Sequence, residues 1–196
     1  MIDEAEVWRM AARRQLTLTN AEVAGVLALM NRTGNFRPEA EVVQCFQVGE
    51  LTSGMVTLFL PSMWLNRRDE SPVPAEVWRA MFECAAYTED TIVRRRPRRS
   101  SLAYRGATEA NREGLSWSLD VQQARDFARS RQAPGIAGSI WVTRIPGDRV
   151  FARFMEGWEK ELTADVRGLE IYPLEDASRL VRPWWRMGLS RTPARA

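Results

Sequence analysis

The sequence of 196 residues contains no histidine. This absence excludes Ser-His-Asp and Cys-His nucleophile systems, HExxH metal sites and every histidine general base. Lysine is almost absent as well, because Lys160 stands alone and 27 of the 28 basic residues are arginine. Any chemistry in this chain therefore depends on carboxylates, hydroxyls, arginines or the reactivity of the substrate itself.

Cysteine is scarce, and long apolar runs are missing. Cys45 and Cys84 lie far apart in apolar surroundings, which favours two buried thiols over a disulfide framework or a zinc site. The acidic N-terminus lacks the basic and apolar regions of a signal peptide. The longest apolar run, 55–65, contains Pro61 and falls short of the roughly 20 residues that span a bilayer. We expect a cytoplasmic protein without a membrane segment.

Charge is distributed unevenly along the chain. Residues 1–90 carry 8 basic and 13 acidic side chains, whereas residues 91–196 carry 20 basic and 12 acidic ones. A basic second half indicates an anionic partner, such as a dinucleotide, a nucleic acid or an acidic protein. The sign of the charge does not choose among them.

The first half of the chain has helical patterns. Thr19 and Glu22 form a capping box ahead of an apolar stripe that reaches Met30. Pro38 and Pro74 each stand where a helix begins. The run 56–60 fits either a strand or a helix. We predict a mainly helical region over residues 1–93.

An arginine-rich segment, 94–99, follows the helical region. It has two interpretations, a contact with phosphate or nucleic acid and a solvated connector. The connector is favoured because no aromatic residues alternate with the arginines, as they do in proteins that bind single strands.

The second half alternates with a period typical of short strands. Asp120 can cap one helix, predicted over 121–131. The predicted strands are 102–105, 114–118, 139–145, 150–154, 161–165 and 170–172. This pattern predicts an α+β fold, followed by a basic tail, 182–196, that we expect to fray.

Three short motifs in this half resemble those of a known enzyme family. They are Tyr104-Arg105-Gly106, Ser116-Trp117-Ser118 and Glu159-Lys160-Glu161. In order and type they resemble the arginine–serine–glutamate class of mono-ADP-ribosyltransferases, in small bacterial or phage members. In that class an arginine ends the first strand, a Ser-x-Ser element lies on the second, and a Glu-x-Glu pair opens a later strand. The resemblance covers about seventy residues and does not include residues 1–90.

Two features depart from the family pattern. Trp117 stands where better-known relatives have threonine, and only eleven positions separate Arg105 from Ser116. Alternation along the strand also turns Trp117 away from both serines. Taken one at a time, each motif also fits an ordinary structural role, as a strand-end arginine, a polar sheet face or a solvated edge.

The resemblance implies a fold, a substrate and roles for individual residues. Residues 94–181 would form a compact catalytic region, a split pair of small sheets with NAD in the cleft and no metal. Glu161 would hold the ribose 2′-hydroxyl and stabilise the cation, and Glu159 would accept a proton from the acceptor. The residues expected to contact NAD are Arg105, Tyr104, Gly106, Ser116, Ser118 and Phe127. A protein arginine is the implied acceptor, and an antitoxin or regulatory protein is an expected partner.

The chemistry of NAD explains why so few groups suffice. Nicotinamide is a good leaving group, and its departure builds oxocarbenium character on the ribose, as in glycoside hydrolysis. An enzyme needs anchors for the pyrophosphate, a carboxylate near the cation and a shaped pocket. The alternatives are an NAD glycohydrolase, in which water replaces the acceptor, and a catalytically silent module that binds nucleic acid or protein.

Overall fold

A computed structural model describes residues 2–33, 39–67, 73–130, 138–156 and 160–180. Pro38 and the tail 182–196 lie outside these residues, so the predictions made for them have no structural counterpart. Six α-helices occur in the described ranges: α1 Glu4–Arg13, α2 Asn20–Thr33, α3 Glu39–Gln47, α4 Ser53–Asn66, α5 Ala75–Cys84 and α6 Val121–Ser130.

The predicted capping box opens α2. The backbone N–H of Glu22 donates to Oγ1 of Thr19 at 3.2 Å, and the backbone N–H of Thr19 donates to Oε2 of Glu22 at 2.7 Å. This reciprocal pair satisfies amide groups that the first turn of a helix leaves unpaired. The hydrogen bond from the backbone N–H of Thr19, together with one from the hydroxyl of Thr52, holds the pKa of the Glu22 carboxyl below its usual range.

The run that the sequence left open between strand and helix belongs to α4. This helix continues through Pro61, and residues 55–61 are all buried. Because α4 is apolar on every side, it is a core helix, and burial outweighs the backbone hydrogen bond that proline removes. Its position brings Trp64, near its C-terminal end, close to the sheet.

Eight strands form one mixed sheet. They are β1 Thr88–Glu89, β2 Ile92–Val93, β3 Ser101–Ala107, β4 Ser116–Ser118, β5 Ser139–Ile145, β6 Val150–Phe154, β7 Glu161–Ala164 and β8 Ile171–Pro173. The strand order is β2-β1-β6-β7-β4-β3-β5-β8. In the middle of this order, β3 and β4 meet through a single residue pair, Tyr104 opposite Ser118. The sheet is therefore narrowest at the two strands that carry the first two motifs.

This arrangement agrees with the α+β prediction and differs from it in detail. The sequence predicted a split pair of sheets, whereas the described strands share one hydrogen-bonded order. Strands β1 and β2 lie within the region predicted to be helical, and β1 pairs in parallel with β6. Two-residue strands are too short to produce a readable alternation, which explains why the sequence did not reveal them.

The helices and the sheet share a hydrophobic core. Residues of α1 to α5 pack together with Leu115, Phe151 and Phe154. A second cluster on the sheet contains Trp117 and Leu162. In the part of the chain that the structure covers, no helix combines the length and apolar character needed to cross a membrane.

Candidate active site

A cavity of about 670 Å³ opens where the C-terminal end of α4 meets β3, β4, α6 and the start of β7. This volume lies within the roughly 300–1,000 Å³ typical of small-molecule sites. Seven of the eight site residues predicted from the sequence line it: Tyr104, Arg105, Gly106, Ser116, Ser118, Phe127 and Glu161. The eighth, Glu159, lies outside the described residues. A guanidinium, a hydroxyl and a carboxylate that are distant in the chain thus surround one space.

Glu161 is the buried carboxylate of the cavity, with 5% of its surface exposed. Nε1 of Trp64 donates to its Oε1 at 2.8 Å, and Nη2 of Arg67 donates to the same oxygen at 3.2 Å. Both donors come from the end of α4, in the half of the chain that the resemblance does not cover. Within the described ranges no residue donates to Oε2, which leaves that oxygen able to accept from a ligand.

Arg67 is held in place on three sides. Its Nη1 donates to the backbone oxygen of Trp64 at 2.6 Å, and its Cζ lies 3.5 Å from the centre of the Trp64 ring. Its Nη2 makes the contact with Glu161. A buried carboxylate is costly without a partner, and a cation at the C-terminal end of a helix also interacts favourably with the helix dipole. Arg67 meets both needs.

Arg105 holds the connection between β3 and β4. Its Nε donates to the backbone oxygen of Asn111 at 3.0 Å, and its Nη1 donates to that of Ser116 at 2.6 Å. Gly114 leaves room for the guanidinium, because a Cβ there would lie 2.3 Å from Nη2. The resemblance implied that Arg105 contacts NAD, and the structure shows that Nε and Nη1 of its guanidinium donate to backbone oxygens of residues that line the cavity.

Ser118 joins three elements around the start of β7. Its Oγ donates to Oε1 of Gln123 at 2.7 Å and accepts from the backbone N–H of Asp120 at 2.9 Å. Oε1 of Gln123 also accepts from the backbone N–H of Lys160 at 3.1 Å. This network connects β4, α6 and the residue before Glu161. Ser116 is half-buried on the cavity wall.

The remaining predicted residues form the walls. Gly106 permits close packing, since a Cβ there would lie 2.1 Å from the backbone oxygen of Ala124 in α6. Tyr104 and Phe127 are half-buried and line the cavity. Trp117 is 1% exposed and donates from Nε1 to the backbone oxygen of Gly114 at 2.8 Å. Its side chain therefore belongs to the core, as the alternation along β4 predicted.

Sequence reasoning missed three polar groups of the site. Trp64 and Arg67 sit 97 and 94 positions from Glu161, and nothing local marks them as its partners. Gln123 is a polar residue in an amphipathic helix, and its 8% exposure is visible only in the fold. An arginine directly after an apolar helix was the one available signal, and it is a weak one.

Comparisons of the chain with protein-family models, with curated proteins and with solved structures found no match. The arrangement around the cavity is therefore the basis for assigning a function.

Proposed function

We propose that this chain is a mono-ADP-ribosyltransferase that transfers ADP-ribose from NAD to a macromolecular acceptor and releases nicotinamide. The observation that carries this proposal is the meeting of Arg105, Ser116 and Glu161 around one cavity of about 670 Å³. Three motifs resemble the family in sequence, and those of their residues that the structure describes adjoin the same space, although the resemblance itself contains no distance information.

The reaction requires a small set of steps. The bond between C1′ of the ribose and the nicotinamide nitrogen breaks, and the electron pair leaves with nicotinamide. A nitrogen of the acceptor forms the new bond to C1′ and loses a proton to a carboxylate. Oxocarbenium character on the ribose is stabilised by a nearby negative charge, a role for which the buried carboxylate of Glu161 is suited.

The groups around the cavity match the parts of a dinucleotide. Arg67, Arg105 and Lys160 supply positive charge for the pyrophosphate. Tyr104 and Phe127 supply aromatic surface for a planar ring. Oε2 of Glu161 is available to accept from a ribose hydroxyl. The site thereby offers an anion contact, a ring contact and a sugar contact within one enclosure.

The identity of the acceptor is inferred from the resemblance alone. In the resembling class, a glutamate at the position of Glu159 accompanies an arginine acceptor, so a protein arginine is our proposed target. The alternative activity is hydrolysis, in which water attacks C1′ and free ADP-ribose is the product. No metal takes part in either reaction as proposed.

Incubation with NAD labelled in the adenosine portion tests the proposal. Label retained on protein from a cell lysate, together with released nicotinamide, supports transfer. Free ADP-ribose without labelled protein would show that the reaction is hydrolysis and not transfer. Unchanged NAD after incubation with lysate, together with salt-sensitive binding to DNA or RNA, would overturn the enzyme assignment in favour of a nucleic-acid module.

A further inference from the structure

Gln123 lies in the first turn of α6, lines the cavity and is 8% exposed. We propose that its side-chain amide is a specificity-determining donor that contacts a hydroxyl oxygen of the ribose beside Glu161. This inference rests on the proposed function, because it names the part of NAD that Gln123 contacts. It assigns a role to a residue outside the three motifs.

The two donors that converge on Gln123 settle the orientation of its amide. The backbone N–H of Lys160 can only donate, so the atom 3.1 Å away must be the oxygen, Oε1. The Ser118 hydroxyl accepts from the N–H of Asp120 and donates its own hydrogen to the same Oε1 at 2.7 Å. Exchange of the oxygen and nitrogen would place two donors against each other. The amide is therefore locked.

Locking Oε1 leaves Nε2 to the ligand. The planar amide puts Nε2 on the side away from the Ser118 and Lys160 contacts, and no residue in the described part of the chain accepts a hydrogen bond from it. Gln123 is 8% exposed and lines the cavity, so the accessible part of its amide lies where a bound molecule can reach it. An acceptor atom of such a molecule can therefore pair with Nε2.

The residue near this donor, Glu161, indicates which group of the ligand Gln123 contacts. Gln123 binds the backbone of Lys160, the residue directly before Glu161, and both Gln123 and Glu161 line the cavity. Glu161 presents a carboxylate oxygen, which only accepts, whereas Nε2 of Gln123 only donates. Neighbouring hydroxyls on a ribose fit such a pair, since one donates to the carboxylate and the other accepts from the amide. The pair thus recognises a vicinal diol.

A double-mutant cycle, with one change made in the protein and the other in the ligand, isolates the contact between Gln123 and the ribose. We would measure binding of NAD and of two analogues, each lacking one hydroxyl of the nicotinamide ribose, to the wild-type protein, Gln123→Glu and Ser118→Ala. Gln123→Glu keeps an oxygen for Ser118 and Lys160 and loses the donor. Ser118→Ala weakens the network and keeps the donor. Gln123→Met removes the amide without adding charge. Comparison with Gln123→Glu separates the effect of losing the donor from the effect of a second negative charge that repels Glu161. Circular dichroism and thermal unfolding establish that each variant folds.

We expect the analogue that lacks the hydroxyl contacted by Gln123 to bind the wild-type protein about tenfold more weakly than NAD does. Ser118→Ala should show a similar loss. In Gln123→Glu and Gln123→Met removal of the same hydroxyl should change affinity less than about threefold. Equal losses in all four proteins would overturn the assignment of Gln123 while leaving NAD binding intact. Failure of the wild-type protein to bind NAD would instead reject the proposed function, and this inference with it.

Discussion

The indole nitrogen of Trp64 donates a hydrogen bond of 2.8 Å to Oε1 of Glu161, although 97 positions separate the two residues. Trp64 belongs to a helix in the first half of the chain, and Glu161 begins a strand in the second. The carboxylate at the centre of the proposed site therefore depends on a part of the chain that no family motif covers.

Replacing Trp64 by phenylalanine tests this dependence. The variant retains an aromatic ring and loses the N–H, so one donor to Oε1 disappears. We expect a loss of about 1 kcal/mol in stability and a fall of about tenfold in kcat for NAD consumption. Trp141→Phe is the matched control, because Nε1 of Trp141 donates to the backbone oxygen of Ala107 outside the cavity lining. A comparable fall in kcat in the control would remove the special role of Trp64.

Glu161→Gln should abolish most of the NAD chemistry. The amide keeps the size of the side chain and loses the negative charge that opposes the cation, so NAD consumption should fall at least about 100-fold. Glu170→Gln, an exposed change outside the cavity, serves as the control. Nicotinamide release measured by chromatography compares the two. Wild-type turnover in Glu161→Gln would place the chemistry elsewhere.

Arg105→Lys should raise the KM for NAD about tenfold. A lysine ammonium cannot span the backbone oxygens of Asn111 and Ser116 as the guanidinium does, so the connection between β3 and β4 loosens at the cavity. Arg144→Lys, on an exposed position of β5, controls for the general loss of an arginine. Initial rates over a range of NAD concentrations give the KM of each protein, and an unchanged KM for Arg105→Lys would contradict this role.

Gly106→Ala should destabilise the fold by about 3 kcal/mol. The added Cβ would lie 2.1 Å from the backbone oxygen of Ala124 and 2.5 Å from the backbone nitrogen of Ala128, which forces α6 away from β3. Gly168→Ala is the comparison, since Gly168 has a φ of +72° and open space around it. There the cost is backbone strain of about 1 kcal/mol. Urea unfolding should rank the two variants in this order, and the reverse order would refute the packing argument.

Asp165 gives the stability of the protein a pH dependence. Hydrogen bonds from Arg167 hold the pKa of this carboxyl below its usual value. A lowered pKa in the folded state stabilises the protein above about pH 4, and this stabilisation disappears as the pH falls through the folded-state pKa. Asp165→Asn should cost about 1 kcal/mol at neutral pH, because Arg167 is largely exposed and solvent weakens the pair. The difference should vanish in acid, and a constant difference in thermal unfolding across pH would contradict it.

Local patterns predicted much of the second half. Strands at 139–145 and 150–154 are confirmed with the predicted bounds, because Pro146 and Gly147 end the first run and both runs are rich in residues that favour strands. The helix predicted at 121–131 is observed as Val121–Ser130. Strand β3 runs on past Gly106, since the missing side chain admits a helix and does not end the strand.

Local patterns did not predict the contacts between residues that are distant in the chain. Seven predicted residues surround one cavity, yet the sequence did not indicate that α4 would supply donors to Glu161. A tryptophan in a wholly apolar helix looks like any other core residue until its polar edge acquires a partner. The sequence likewise did not mark Gln123, because the orientation of its amide depends on one atom in β4 and one in the residue before β7.

The shared core limits how this protein can be redesigned. Phe82 of α5 stacks on Phe151 of β6, with ring centres 5.8 Å apart, and residues of both halves pack in one cluster. Exchange of either half for the corresponding part of another protein would cut through this interior. New binding properties must instead be introduced at exposed side chains, with the two halves kept together as one unit.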